Sequence, residues 1–309
     1  MPSTTTSLSE TQRVDIHDPA GLRPAPLPRP EVPLHASGAN AKTTRVRVGD
    51  VSIGGGGCQV IAGPCAIEDL GTLETVADAV WSAGAKLLRG GAYKPRTSPY
   101  SFQGLGVTGL EMLRDVGRAR GLGVISEVMA PELVPVVAEY VDALQIGARN
   151  MQNYALLEAV GRGETPVVLK RGMGSTLDEL LWAAEHILAR GNPNVILCER
   201  GIRTFESATR TTLDLSAIPV LQERTHLPVI VDPSHAAGDR RYVPALARAA
   251  RAVGADGLII EIHPNPARAL SDGPQALTLP MWHDLARDLG LVAPSLGSVN
   301  MLGRAAGGR

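Results

Sequence analysis

Eight short apolar runs punctuate this chain about every thirty residues, at 59–62, 85–88, 123–126, 143–146, 166–169, 195–198, 228–231 and 257–260. Each is too short for a helix and has the length of a strand buried on both faces. Between them lie stretches of Ala, Leu, Glu and Arg. Leu73, Val76, Ala77 and Val80 fall at i, i+3, i+4 and i+7, which lines up one buried helix face. Leu180, Leu181, Ala184, Ile187 and Leu188 do the same further on. Strand and helix alternating eight times predict an α/β fold, the (β/α)8 TIM barrel. A doubly wound open sheet would alternate in the same way, because periodicity does not reveal closure. The count of eight and the lack of a Gly-x-Gly-x-x-Gly turn after the first run favour the barrel.

The 309 residues suffice for one domain of barrel size or two smaller ones. A net charge of −1 and a pI of about 6.7 give no general attraction for nucleic acid or a membrane surface, so any preference for anions must be local. Aromatics make up only 3% of the chain, so small aliphatic residues must fill the interior. No apolar run nears the roughly twenty residues of a membrane span, and no basic segment followed by an apolar core opens the chain. Three cysteines, Cys58, Cys65 and Cys198, are too few and too scattered for a disulfide framework. A reducing cytoplasm is the expected compartment.

Residues 1–43 read as a disordered, Pro-rich N-terminal arm, with the run Pro-Ala-Pro-Leu-Pro-Arg-Pro at 24–30 suited to extended, solvated chain. Arg45 to Val48 alternates, Gly49-Asp50 turns, and Val51 to Ile53 alternates again, which predicts a short N-terminal β-hairpin. The hairpin and barrel together span 44–290 and leave a C-terminal tail at 291–309.

The densest chemistry follows the second run. Arg89, Lys94 and Arg96 place three fixed cations within eight residues, with Gly90, Gly91 and Pro95 shaping the backbone between them. Glycine lets a backbone approach a ligand, and arginine forks match the paired oxygens of phosphate and carboxylate. In a barrel, catalysis sits where strands end and the following loops begin. All eight runs deliver polar residues there: Cys65, Arg89, Glu127, Arg149, Lys170, Arg200, His235 and Glu261, with Asp272 in the loop beyond. Chance accounts for two or three such ends, so one face of the barrel reads as an active site.

Two sets emerge. Cys65, His235, Glu261 and Asp272 offer thiolate, imidazole and carboxylates from four loops, which suits a divalent transition ion such as Zn, Mn, Fe or Co. No local spacing motif joins them. Singly, each also has an ordinary structural reading, as a buried thiol, a capping imidazole or base, or a salt-bridge partner. The second set is Arg89, Lys94, Arg96, Arg149, Lys170 and Arg200. Six cations at one barrel mouth repel one another unless a multiply anionic partner joins them. Two phosphates, or a phosphate and a carboxylate on one molecule with a phosphate on another, would match. The alternative is that Lys170, Arg171 and Arg200 pair with Glu199 and Asp232, which leaves Arg89 and Arg149 unexplained.

The stretch from Thr44 to about Leu289, about four-fifths of the chain, closely resembles the 3-deoxy-D-arabino-heptulosonate 7-phosphate (DAHP) synthases of the type I-beta group. The resemblance rests on Gly-Pro-Cys at 63–65, the long run 88–104 around Lys-Pro-Arg-Thr, and Gln-Ile-Gly-Ala-Arg-Asn-Met-Gln-Asn at 145–153. It rests further on Leu-Lys-Arg-Gly-Met at 169–173, Leu-Cys-Glu-Arg-Gly-Ile-Arg-Thr-Phe-Glu at 197–206, Asp-Pro-Ser-His at 232–235 and Glu-Ile-His-Pro-Asn-Pro at 261–266. It implies condensation of phosphoenolpyruvate with erythrose 4-phosphate and release of phosphate, opening the shikimate route to aromatic amino acids. It implies roles as well. Cys65, His235, Glu261 and Asp272 would ligate a divalent metal. Arg89 and Lys94 would hold the phosphoenolpyruvate carboxylate. Arg149, Lys170, Arg200 and backbone near Ala148 would hold its phosphate. Lys94, Arg96 and Thr97 would meet erythrose 4-phosphate, and Glu127 would lie near the reacting carbon and its water. Lys94 or His235 would move protons. A homo-oligomer, dimer or tetramer, is implied too.

The nearest competitor is 3-deoxy-D-manno-octulosonate 8-phosphate synthase, which uses a five-carbon aldehyde. The element Lys94-Pro95-Arg96-Thr97 favours the four-carbon substrate. A non-catalytic barrel that binds phosphometabolites is the other alternative. Residues 1–43 are too short and Pro-rich for the regulatory domains that often accompany the group, so feedback inhibition by Phe or Tyr is expected to be weak or absent. Cys198, at the end of the sixth run, could face Cys65 and make it liable to oxidation.

Overall fold

The computed structural model describes residues 27–36, 43–94, 96 and 98–291. The chain divides into two compact units, Met1–Glu31 and Val32–Arg309. Of the first, residues 27–31 are described; they are exposed and belong to no helix or strand. Of the expected arm, residues 1–26 and 37–42 lie outside the described residues, as does the tail from 292.

The second unit opens with a single 3-10 turn, Leu34–Ala36, whose buried His35 meets Glu185 Oε2 at 2.8 Å and accepts from Thr225 Oγ1 at its carbonyl, so this part of the expected disordered arm is ordered. The expected hairpin follows, β1 (Val46–Val48) and β2 (Val51–Ile53), which pairs Val46 with Ile53. Eight strands then form a closed parallel barrel. They are β3 (Gln59–Gly63), β4 (Leu87–Arg89), β5 (Gly123–Glu127), β6 (Ala143–Ile146), β7 (Val167–Lys170), β8 (Val195–Glu199), β9 (Val229–Val231) and β10 (Gly257–Glu261). Each coincides with a predicted run to within two residues at either end. Closure comes from β10, which pairs with β9 and also with β3, from Gly257 opposite Gln59 to Glu261 opposite Gly63. The connecting helices are α1 (Leu70–Ser82), α2 (Val107–Arg120), α3 (Val134–Tyr140), α4 (Tyr154–Gly161), α5 (Leu177–Leu188) and α6 (Ala217–Arg224). Two more, α7 (Pro233–Ala237) and α8 (Val243–Ala252), separate β9 from β10, and α9 (Leu279–Asp288) follows β10.

The strand period of two divides the core into layers. Ile61, Leu87, Ile125, Val168, Ile196, Ile230 and Ile259 pack together in one layer with Val46, Val48 and Ile53 of the hairpin. Their strand neighbours Val60, Leu88, Val124, Val167, Leu197 and Leu258 pack against the helices instead. The hairpin thus plugs the barrel at its N-terminal end. Its turn residue Gly49 lies against Gly123, the first residue of β5, where a Cβ would come within 3.1 Å of the neighbouring Cα. Each buried Val or Ile of that plug contributes about 1.5–3 kcal/mol. Chemistry is left to the opposite end, where the strands finish.

Local signals fix the helices around this core. α5 starts with a capping box between Thr176 and Glu179. The indole of the fully buried Trp282 donates to Ala79 O at 2.9 Å and ties α9 to α1. At the C-terminal ends of β3 and β4 the backbones converge so closely that a Cβ on Gly63 would lie 1.9 Å from Arg89 O. That approach sets Cys65 and Arg89 side by side.

Candidate active site

Glu127, Lys170, Glu199 and Glu261 are the last residues of β5, β7, β8 and β10, and Arg89 ends β4. Cys65 follows β3, His235 lies in α7, and Asp272 sits in the loop after β10. The ligand atoms of Cys65, His235, Glu261 and Asp272 all lie within 4.8 Å of one another. Cys65 Sγ is 3.0 Å from Asp272 Oδ2, and His235 Nε2 is 3.3 Å from Glu261 Oε1. One sulfur, one nitrogen and two carboxylates gathered this closely fit a small divalent transition ion.

The surroundings strengthen the fit. Asp232 Oδ2 bonds His235 Nδ1 at 2.7 Å, which orients the ring and turns Nε2 toward the cluster. Arg89 donates to Glu261 Oε1 at 2.6 Å, and Gln275 donates to Glu261 Oε2 at 2.5 Å. Asp272 is the one non-glycine residue with left-handed backbone among those described, at φ 52°. Such conformations are costly and concentrate at functional sites.

Electrostatics agree with a cation site. Burial, reinforced by Glu261, pushes the Cys65 thiol up to about 12 against the opposing pull of Lys94 and Arg89. At neutral pH the thiol keeps its proton and donates it to Asp272 unless a metal displaces it. Burial works against the charge on Asp272 too, but His235 and the Cys65 hydrogen bond hold its carboxyl below the usual range. Glu261 is likewise lowered, with His235 and Arg89 overcoming complete burial. Desolvation lowers His235 despite Asp232 and Glu261, which keeps the ring neutral at pH 7, as ligation requires.

Beside the cluster opens a cavity of about 350 Å³. Among the described residues, seven cationic side chains line it: Arg89, Lys94, Arg96, Arg149, Lys170, Arg200 and Arg210. Lys94 Nζ lies 3.1 Å from Cys65 Sγ and 4.0 Å from Glu127 Oε2. Burial lowers the Lys94 pKa, but Cys65 and Glu127 raise it more, so the ammonium stays charged. Arg200 Nη1 is buried and finds no hydrogen-bond partner among the described residues. An unsatisfied buried donor is destabilising, and here it marks a place for an anion's oxygen. Arg96 donates to Ser271 Oγ at 2.7 Å.

The ion-pair alternative holds in part. Lys170 pairs with Asp232, and Arg171 with Glu199 and Asp214 at 2.9 Å each. Arg200 joins neither pair. Arg89, which that alternative left without a partner, meets Glu261.

A family model described as the DAHP synthetase I family matches residues 33–289. The chain belongs to that family. It is 52% identical over 254 residues to the phospho-2-dehydro-3-deoxyheptonate aldolase of Thermotoga maritima, across 82% of this chain and 75% of that protein. A crystal structure of the phospho-2-dehydro-3-deoxyheptonate aldolase (DAHP synthase) of Thermotoga maritima matches with a TM-score of 0.79 and 51% identity, across 81% of this chain and 73% of that one. A 2-dehydro-3-deoxyphosphooctonate aldolase of Acidithiobacillus ferrooxidans is 36% identical over 74% of this chain and 87% of its own length. The resemblance to type I DAHP synthases drawn from the motifs is met.

The four expected metal ligands meet in one cluster. Arg89, Lys94, Arg96, Glu127, Ala148, Arg149, Lys170, Arg200 and His235 all line the cavity. Thr97 lies outside the described residues. Cys198 does not join Cys65; it is fully buried in the inward apolar layer with Val168, Ile196 and Ile230. Sequence reasoning missed Gln145, Arg210 and Gln275. Arg210 stands in the polar loop Thr-Arg-Thr-Thr at 209–212, with no adjacent glycine or proline to set it apart.

Proposed function

We propose that this barrel condenses phosphoenolpyruvate with erythrose 4-phosphate to give DAHP and inorganic phosphate. It is thus a metal-dependent 3-deoxy-7-phosphoheptulonate synthase at the first step of the shikimate pathway. The observation that carries the reading is a Cys-His-Glu-Asp cluster opening directly onto a cation-lined cavity. Both substrates are phosphorylated and one is also a carboxylate, so the cavity's charge matches theirs.

In this reading Cys65, His235, Glu261 and Asp272 hold a divalent ion (Mn, Co, Zn or Fe). When bound, that ion supplies Lewis-acid polarisation of the aldehyde oxygen. Arg89 and Lys94 hold the phosphoenolpyruvate carboxylate. Arg149, Lys170, Arg200 and the backbone at Ala148 hold its phosphate, and the unsatisfied Nη1 of Arg200 gains its partner there. Arg96 and Thr97 receive erythrose 4-phosphate with Lys94. Fixing both substrates replaces a bimolecular encounter by an oriented one. C3 of phosphoenolpyruvate then bonds to the aldehyde carbon. Water adds at C2, and the C–O bond to phosphate breaks with the P–O bond intact. Lys94 delivers the proton to the developing alkoxide. His235 is unsuited to that task, because Nδ1 is bonded to Asp232 and Nε2 belongs to the cluster. Glu127, beside Lys94, orients the water and takes its proton. Catalysis resides in 44–290, in a dimer or tetramer.

The test is phosphate release by metal-loaded protein given phosphoenolpyruvate with erythrose 4-phosphate or arabinose 5-phosphate, with and without EDTA. Turnover with erythrose 4-phosphate alone, abolished by EDTA, is the expected result. Preference for arabinose 5-phosphate would transfer the chain to the octulosonate synthases, to which the more distant relatives belong. No turnover with either, despite bound metal, would leave a binding barrel.

A further inference from the structure

We propose that Arg210 is a positioning residue for the metal centre. Directly it fixes which oxygen of Asp272, and through Gln275 which oxygen of Glu261, faces the ion. The inference rests on the metal reading above and adds two residues to it.

Arg210 Nη1 donates to Asp272 Oδ1 at 3.0 Å and to Gln275 Oε1 at 2.9 Å. Gln275 Nε2 passes the contact on, donating to Glu261 Oε2 at 2.5 Å. The oxygens engaged by this relay are not those nearest the other ligands. Asp272 turns Oδ2 toward Cys65 Sγ, at 3.0 Å, and Glu261 turns Oε1 toward His235 Nε2, at 3.3 Å. The relay thus ties back Oδ1 of Asp272 and Oε2 of Glu261, while Asp272 Oδ2 and Glu261 Oε1, the latter also held by Arg89 at 2.6 Å, face the other ligands. Such an arrangement favours a small transition ion over calcium, which readily takes bidentate carboxylates.

The chemistry of the middle residue is specific. A guanidinium only donates and a carboxylate only accepts. A neutral amide, with an acceptor on one side and donors on the other, can join the two. Gln275 is 2% exposed and has that orientation. The relay is also anchored to the third ligand. Arg210 N donates to Ala237 O at 3.1 Å, and Thr211 N donates to Ala236 O at 3.0 Å, which pins the loop to α7, the helix of His235. The approach is close enough that a Cβ on Gly238, at the end of α7, would lie 2.5 Å from Arg210 Cβ. Asp272 has most need of such a tie, since its left-handed backbone must be held by its surroundings.

The experiment titrates metal-stripped full-length protein with Co²⁺ and follows the visible bands and the sulfur-to-cobalt band. The proteins compared are wild type, Arg210→Ala, Gln275→Leu, the double variant and Arg210→Lys. Each single truncation should weaken Co²⁺ affinity by roughly 10–100-fold and alter the visible bands. The double variant should lose less than the product of the two single losses, because both act on one path. Arg210→Lys should recover part of the affinity. If Arg210→Ala binds Co²⁺ within about twofold of wild type with an unchanged spectrum, the proposal is overturned, whatever happens to KM, since the usual loss on removing such a partner is tenfold or more. Wild type that binds no Co²⁺ with a sulfur band would instead sink the metal reading itself. Should Arg210→Ala fail to melt cooperatively, Gln275→Asn and Arg210→Lys carry the same test, and wild-type affinity in both would overturn the relay.

Discussion

Asp232 is fully buried and holds two residues on which the site depends. Its Oδ2 faces Lys170 Nζ and His235 Nδ1, and its Oδ1 accepts His235 N at 2.9 Å. Burial opposes its charge, but His235 and Lys170 more than compensate and hold the carboxyl well below the usual range. Asp232→Asn keeps the shape and removes the charge. The amide has one oxygen for three donors. If that oxygen faces Lys170 and His235 Nδ1, the NH2 meets His235 N–H and α7 loses its cap, about 1 kcal/mol. If it faces His235 N, the NH2 meets the ammonium and drives the His235 proton onto Nε2, which can then no longer ligate. In both cases Lys170 is left buried without its counter-ion, and breaking a buried pair in this way costs about 3–5 kcal/mol. With the cap, the loss is about 4–6 kcal/mol, or a Tm lower by roughly 8–24 °C for a chain of this size. Metal affinity should fall about 10–100-fold as His235 loses its orienting partner. Asp232 has a folded pKa below its unfolded value. Its stabilisation is therefore present above about pH 4 and lost as pH falls through the folded pKa. The difference in unfolding free energy between wild type and Asp232→Asn, measured by denaturant titration, should be full at pH 7 and shrink below about pH 4. Equal stability at pH 7, or a gap unchanged at the lowest pH where both still fold, would refute the reasoning.

Arg200→Met removes a buried cation with an unsatisfied donor while keeping much of its volume, so Tm should hold or rise as KM for phosphoenolpyruvate rises roughly 10–100-fold. A lower Tm with unchanged KM would contradict the role given to Arg200. Gly63→Ala sets a Cβ 1.9 Å from Arg89 O, where only backbone can give way. A loss of about 3 kcal/mol is expected in thermal unfolding, with Arg89 displaced and activity reduced; a near-wild-type melting curve with full activity would contradict the packing argument. Metal binding must expel the Cys65 proton, which is held up to about 12, whereas His235 is already neutral above pH 7. Apparent metal affinity should therefore climb about tenfold per pH unit from pH 7 to 9, and calorimetric titration giving a flat profile would exclude Cys65 as a thiolate ligand. The same raised pKa favours the folded metal-stripped protein below about pH 8.5, a contribution lost as pH rises toward 12.

The barrel was legible because a strand covered on both faces is written as an unbroken apolar run, and because the residue after that run stands at the barrel's mouth. That logic reached Glu127, Lys170 and Glu261, which end β5, β7 and β10. It did not reach the pairs made through space. Arg89 and Glu261 are 172 residues apart, and their contact exists only because β10 closes onto β3, beside β4. Closure has no local signature. Arg210 was hidden by distance along the chain, since its partners Asp272 and Gln275 lie 62 and 65 residues on, in the loop after β10, and no local pattern joins that loop to the one after β8. Cys198 was misread for a different reason. With a period of two, Ile196 and Cys198 share a face and Leu197 takes the other, so alternation alone places Cys198 in the apolar layer.

The charge balance of the site explains why buried cations crowd a place that is to receive another. A thiolate and two carboxylates carry one more negative charge than a divalent ion supplies. A centre loaded through these four ligands would thus be a net anion, to which Arg89, 2.6 Å from Glu261, and Lys94, 3.1 Å from Cys65, would remain attracted. A neutral ligand set, such as three imidazoles, would leave both beside a net charge of about +2 and drive them away. In the proposed reading, anionic ligands would therefore let one small cavity combine a Lewis acid with cations that grip carboxylate and phosphate. The thiolate is the decisive member, because protonating Cys65 cancels the excess and leaves the centre with no net charge to hold Lys94 in place.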